Sequence, residues 1–197
     1  MTVNAPAPAL SGTMDVDEFM ALLETRPHSE RWDLIEGVAV MMAPPSYAHQ
    51  RIAMNLCILL NNAFAAQRLD LFAYFDVGVR SPGIMNFQPQ PDVVVVPGVA
   101  GYDLYSERFQ LVAEILSPSN TRREIDLKLR RYSEAPDNLY CVVIEPREFL
   151  VQIYAKSRNW EPVVLRKPDD PIEMPEFGLR CRVGDLYRGT PLDPQRH

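Results

Sequence analysis

The stretch that decides the fold is Leu111-Val112-Ala113-Glu114-Ile115-Leu116, followed by Ser117-Pro118-Ser119-Asn120 and then by residues 121–134. An apolar run of strand length, a turn rich in Ser, Pro and Asn, and a helical repeat spell strand, turn and helix. Ile125, Leu129 and Tyr132 form the apolar stripe of that helix, which the sequence places from about Thr121 to Glu134. Leu139 to Glu145 follows as a second apolar strand, and Phe149 to Tyr154 and Trp160 to Leu165 extend it as a meander.

Upstream of this unit, Val93 to Val96 is wholly apolar, the pattern of a strand buried on both faces. Leu71 to Arg80 reads as another strand. Pro44-Pro45 breaks the chain, and Ser46 caps a long helix to about Gln67, with Ile52, Leu56, Leu59, Leu60 and Ala63 at helical spacing. Earlier still, Trp32 to Ile35 and Val38 to Met42 pair as a hairpin through Glu36-Gly37. Asp15 and Glu18 open a first helix whose apolar face is Phe19, Leu22 and Leu23, and Pro27 ends it. The order helix, hairpin, helix, strands, helix, strands predicts a mixed α/β fold (α+β in character), with a central mixed sheet flanked by helices. Connections between its middle strands are too short for helical crossovers, so those strands should run antiparallel.

A chain of 197 residues, 47% hydrophobic and 23% charged, suits one domain with a sizeable core. Residues 1–12, rich in Ala and Pro, read as a disordered lead-in, residues 13–190 as the domain and 191–197 as a tail. No apolar run has membrane-spanning length, and the start lacks a signal-peptide pattern. Cys57, Cys141 and Cys181 are odd in number and widely spaced, which fits small buried hydrophobes in a reducing cytoplasm. The net charge of −6 argues against a broad basic face that grips nucleic acid. It leaves a carboxylate-rich metal site open, because bound divalent ions reverse the charge locally.

Glu114 carries the most information. Strand alternation puts it on a face with Val112 and Leu116, where an ionised carboxylate must be paired, protonated or metal-bound. A lone strand glutamate is more often solvent-exposed or paired with a structural Arg. Asp92 stands at the mouth of the valine strand; alone, Pro91-Asp92 is an ordinary turn pair. Two acids on neighbouring strands, about 4.8 Å apart, can share a divalent ion. Lys128 lies about 60° from Ile125 on the helix after Glu114, at the border of the apolar stripe, and can lean over the strand end. Glu124, one turn earlier, can pair with Lys128 or join a metal shell. His49 and Gln50 open the long helix, and local bonding there outweighs substrate contact. Arg122, Arg123, Arg130 and Arg131 scatter around their helix as a solvated face.

Gln90-Pro91-Asp92-Val93, then Glu114-Ile115-Leu116-Ser117-Pro118-Ser119, then Lys128 ahead of Tyr132, resembles the PD-(D/E)XK nuclease superfamily and, within it, the Uma-type restriction endonuclease family. Leu34 to Gly37 and the helix start Pro45 to Gln50 match further motifs of that family, and the similarity spans roughly Asp15 to Tyr187. Two positions depart from the pattern. The superfamily lysine two residues after the strand acid is here Leu116, with Lys128 as its replacement from the helix, and Glu124 stands where Asp is usual. The resemblance implies a restriction-endonuclease-like core, DNA as substrate, Mg²⁺ (or Mn²⁺) held by Asp92, Glu114 and the backbone carbonyl of Ile115, and a homodimer. It gives Lys128 the task of orienting or helping to deprotonate a metal-bound water, and leaves Glu36 as an outer ligand. A small-nucleotide phosphohydrolase and a non-enzymatic interaction module on the same fold are the competing expectations.

Overall fold

Asp15 begins the first helix, α1 (Val16–Glu24), through a reciprocal cap in which its carboxylate accepts from the Glu18 N–H and the Glu18 carboxylate accepts from its own. The computed structural model describes residues 9–10, 13–98, 101–118 and 120–195, residues 9 and 10 in backbone only. Ala9–Leu10 forms strand β1, which pairs with Val40 and Ala39; the rest of the expected lead-in, and residues 196–197 of the tail, lie outside the described residues.

Strands β2 (Arg31–Ile35) and β3 (Val38–Met42) make the expected hairpin. Its turn needs positive φ at both central positions, +49° at Glu36 and +76° at Gly37. A Cβ on Gly37 would stand 3.2 Å from the backbone of Thr13 and Met14, so this glycine also admits the incoming chain. Helix α2 (Tyr47–Gln67) starts at Ser46, whose hydroxyl accepts from the His49 N–H, and buries Ile52, Leu56 and Leu60.

The expected strand over residues 71–80 is instead broken in two. Strand β4 (Leu71–Tyr74) ends where Asp76 takes a φ of +60°, and the chain resumes as the short β5 (Gly78–Val79). Aspartate tolerates that conformation better than most residues, which is why hydropathy alone gives no sign of the break. Strand β6 (Val93–Pro97), the short β7 (Tyr105–Ser106), β8 (Leu111–Ile115) and α3 (Arg122–Glu134) follow. The cap of α3 is Thr121, while Ser117 closes a turn by donating its N–H to Asn120 Oδ1. Strands β9 (Tyr140–Glu145), β10 (Leu150–Ala155) and β11 (Pro162–Leu165) complete the sheet. Beyond it lie a hairpin, β12 (Pro171–Met174) and β13 (Leu179–Arg182), and the single turn α4 (Val183–Leu186).

The central sheet has six strands in the order β11-β10-β9-β8-β6-β4. The pairs β4–β6 and β6–β8 are antiparallel, as expected, whereas α3 carries the chain back so that β8 and β9 run parallel. Each face has its own core. On one, Ile52, Leu56 and Leu60 of α2 pack on Val93, Val95 and Ala113, beside Phe177 and Leu186. On the other, Tyr132 of α3 packs with Val94, Val112, Phe87 and Phe109. The sheet edge at β4 is closed by a side chain: Asn61 of α2 donates to the Ala73 carbonyl at 3.0 Å and accepts from its N–H at 2.9 Å. Among the described residues no helix is long and apolar enough to cross a membrane.

Candidate active site

The geometry of the sheet brings the two strand acids together. Val93 lies opposite Ala113 in the β6–β8 ladder, so the next step of the register sets Asp92 against Glu114 at the end of β8. The Ile115 N–H donates to Asp92 Oδ2 at 2.7 Å, tying the acid to the neighbouring strand. Asp92 is 8% exposed and Glu114 5%. Helix α3 then lays Lys128 and Tyr132, one turn apart, over Glu114. The Lys128 ammonium stands 3.2 Å from Glu114 Oε1 and 3.3 Å from Oε2, and the Tyr132 hydroxyl donates to Oε1 at 2.6 Å. Lys128 is not the border residue its helical angle predicts; it is wholly buried.

Its burial is explained by Asp33 on β2, an acid passed over in the sequence. Asp33 is fully buried, its Oδ2 lies 2.7 Å from Lys128 Nζ, and its Oδ1 accepts from the Gln90 N–H at 2.9 Å. The signal for it was available: like Glu114, it is an acid inside an apolar run, Trp32-Asp33-Leu34-Ile35. Glu36, singled out in its place, points elsewhere, accepting from the Arg131 guanidinium at 2.6 and 3.0 Å on a half-exposed surface. That contact, the largest influence on it, holds the Glu36 carboxyl below its ordinary value.

One ammonium thus serves two buried carboxylates. Burial opposes the charge on Lys128, but Asp33 and Glu114, with Glu124 further out, outweigh it and hold the amine above its ordinary value. Burial acts the other way on Glu114 and raises its carboxyl; Lys128 offsets only part of this, while Asp92 and Asp33 add to it. The two directions are compatible because Asp33 takes the shorter contact, leaving Glu114 under-neutralised. Glu124 itself is half-buried and bonded by the Asn120 amide at 3.4 Å.

Asp92 faces a cavity of ≈210 Å³ on the other side of the cluster, walled by His49, Gln50, Met54, Phe75 and Asp76. His49, expected to serve its helix, does so through its backbone, yet its ring Nε2 reaches Asp92 Oδ2 at 3.2 Å and the residue is 7% exposed. Arg31 of β2, also missed, bridges Asp76 at 3.0 Å and Asp92 at 3.6 Å. Gln50 lines the cavity mouth and is exposed. Asp92, Glu114, Lys128, His49 and Gln50 therefore converge on one end of the sheet, Glu124 borders them, and Glu36 does not join them.

Among the described residues, no three His, Cys, Asp or Glu side chains already stand in metal-holding geometry. A magnesium ion asks less than that, since it commonly takes one or two carboxylates and completes its shell with water and phosphate oxygens. Asp33, Asp76, Asp92 and Glu114 outnumber Lys128 and Arg31, which leaves an excess of hard, anionic oxygen donors that fits such an ion.

A six-stranded mixed sheet with acids and a lysine gathered at one strand end defines a restriction-endonuclease-like α/β protein. A search of the solved structures places it beside a chain described as a "putative nuclease belonging to DUF820" from Anabaena variabilis ATCC 29413, with a TM-score of 0.70 and 20% identity over 88% of this chain and 97% of that one. Residues 16–184 match the model of the Uma2 family, described as "Putative restriction endonuclease", and the chain belongs to that family. A search of the curated proteins finds no significant match.

Proposed function

We propose that the chain is a metal-dependent endonuclease that hydrolyses DNA phosphodiester bonds. The observation that carries this reading is the buried Asp33–Lys128–Glu114 cluster set directly behind Asp92 at the floor of an open cavity. Burying three charged side chains costs stability, and clusters of this kind beside a cavity concentrate at functional sites. Asp92, Glu114 and the Ile115 carbonyl would hold Mg²⁺ or Mn²⁺. When bound, the ion supplies a Lewis acid for the scissile phosphate and lowers the pKa of a water.

The remaining work falls to the side chains. Lys128, paired with Asp33 and Glu114 and wholly buried, acts from behind the site: its positive charge offsets the carboxylates gathered at the strand end and holds Glu114 in place. Asp33 fixes that charge in place, and Tyr132 fixes the Glu114 carboxyl. His49 and the Ile115 N–H both hold Asp92 Oδ2, while its other oxygen has the longer, 3.6 Å contact to Arg31.

The test is a thermal shift titration with Mg²⁺ and Mn²⁺ on the native chain and on Asp92→Asn, followed by cleavage of plasmid and linear DNA. A single site at tenfold excess over its Kd stabilises by about 1.4 kcal/mol, or about 3–6 °C for a domain of this size. Such a shift in the native chain, absent from Asp92→Asn and accompanied by DNA cleavage, is the expected result. No shift and no cleavage would overturn the proposal in favour of an interaction module; hydrolysis of mononucleotides alone would redirect it to a small-nucleotide phosphohydrolase.

A further inference from the structure

The approach to Asp92 carries exposed aromatic and apolar side chains where a duplex-binding enzyme would carry lysines and arginines. Phe75 is 54% exposed, Met54 43% and Tyr47 94%. Phe75 and Met54 wall the cavity that holds Asp92. A second cavity of ≈450 Å³ shares Gln50 and Met54 with the first and runs on to Tyr47, Arg51 and Thr190. The two adjoin through Gln50 and Met54 along the first turns of α2 as a trough, with Phe75 and the site acid lining the first part and Tyr47 the second.

The presentation of Phe75 is enforced. Asp76, next in the chain, takes a φ of +60°, and that turn is pinned by Arg31 on the Asp76 carboxylate and by the Gln90 amide on its carbonyl. A doubly anchored turn that leaves a phenylalanine more than half exposed beside the site acid points to use of that ring. Arg51, inside the trough, forms no ion pair with any described residue; its guanidinium donates only to Met54 Sδ at 3.7 Å. The trough thus offers two rings and a cation.

We infer that this trough binds an unpaired DNA strand, with one base stacked on Phe75, a second on Tyr47 and an intervening phosphate on Arg51, so that the site acts on single-stranded or splayed DNA in preference to duplex. The inference rests on the nuclease reading and names the substrate class of the same site. Stacking platforms of this kind accept any base, because every base has a π face, and they are inaccessible to bases stacked within a helix. The chain's charge of −6 agrees: duplex affinity depends on neutralising many phosphates, whereas a short strand held by rings needs few cations.

The experiment is fluorescence anisotropy with three labelled probes, a dT oligonucleotide, an abasic strand of the same length and charge, and a duplex, on the native chain with Mg²⁺. Variants Phe75→Ala and Tyr47→Ala are compared with Phe75→Trp, and melting curves check that each folds, which the exposure of both rings favours. The dT strand should bind at least tenfold tighter than the abasic one. Each alanine variant should lose about tenfold on dT and nothing on the abasic strand, and Phe75→Trp should retain dT binding. Equal binding of dT and abasic strands, or duplex preference untouched by the alanine variants, overturns the inference while leaving the nuclease reading standing. No binding or cleavage of any probe, in a chain that also shows no metal shift, overturns both.

Discussion

Replacing Lys128 with methionine keeps an unbranched apolar stem, one atom shorter, and removes the ammonium with its charge and its hydrogen-bond donors. Because Lys128 and Asp33 are fully buried and Glu114 nearly so, the substitution leaves two carboxylates facing each other without a cation. Breaking a buried pair by deleting one partner costs about 3–5 kcal/mol. For a domain of this size that is a fall in Tm of about 6–20 °C, at roughly 2–4 °C per kcal/mol. The pH dependence has a defined sign. The Glu114 carboxyl is already raised in the folded state by burial, so folding takes up a proton as pH falls toward its ordinary value of 4.5, and stability rises over that interval. Losing Lys128 removes the group that most lowers it, so the variant should regain more stability than the native chain between neutral pH and 4.5. Urea unfolding at several pH values measures both effects. Adding Asp33→Asn to Lys128→Met should return part of the loss, since it removes one of the stranded charges. A cost under about 1 kcal/mol for Lys128→Met, as for an exposed ion pair, would refute the buried-cluster account.

Two further expectations concern the hairpin. Glu36→Gln, which loses a partly exposed ion pair with Arg131, should cost about 0.2–1 kcal/mol and leave the proposed DNA cleavage unchanged. Since Arg131 holds the Glu36 carboxyl low, that small contribution is present above its ordinary value of 4.5 and fades as pH drops below it; a melting series against pH, native versus variant, reads the difference. Gly37→Ala meets both a φ of +76° and backbone atoms at 3.2 Å, and should destabilise by more than about 1 kcal/mol in denaturant unfolding.

The elements that end in strong local chemistry were legible in the sequence. Asp15 with Glu18, Ser46 after Pro44-Pro45, and the Glu36-Gly37 turn mark helix and hairpin boundaries through hydrogen bonds made within a few residues. What could not be read depends on distant partners. The break at Asp76 is held by Arg31 and Gln90, and the pairing of Ala9–Leu10 needs β3, so neither leaves a periodic trace. The site divides in the same way. Asp92 and Glu114 announce themselves as acids beside apolar strands, and the stretch between them is long enough to return the chain as the neighbouring strand. Asp33 and Arg31 enter from a separate three-stranded sheet, docked through the bridge between Leu34 and Gln88, and no spacing rule connects them to Lys128.

The Asn61 side chain on β4 has a consequence for how this protein meets others. Its amide occupies the backbone N–H and carbonyl of Ala73 that a seventh strand would need, so the sheet cannot be extended on that side without first evicting a residue of α2. Any strand-donating peptide, swapped segment or nascent aggregate is steered to the opposite border, where β11 opens with Pro162, a residue with no N–H to offer. The helix that guards one border also carries His49 to Asp92, so loosening α2 would expose the protein to self-association and unsettle its chemistry in a single event.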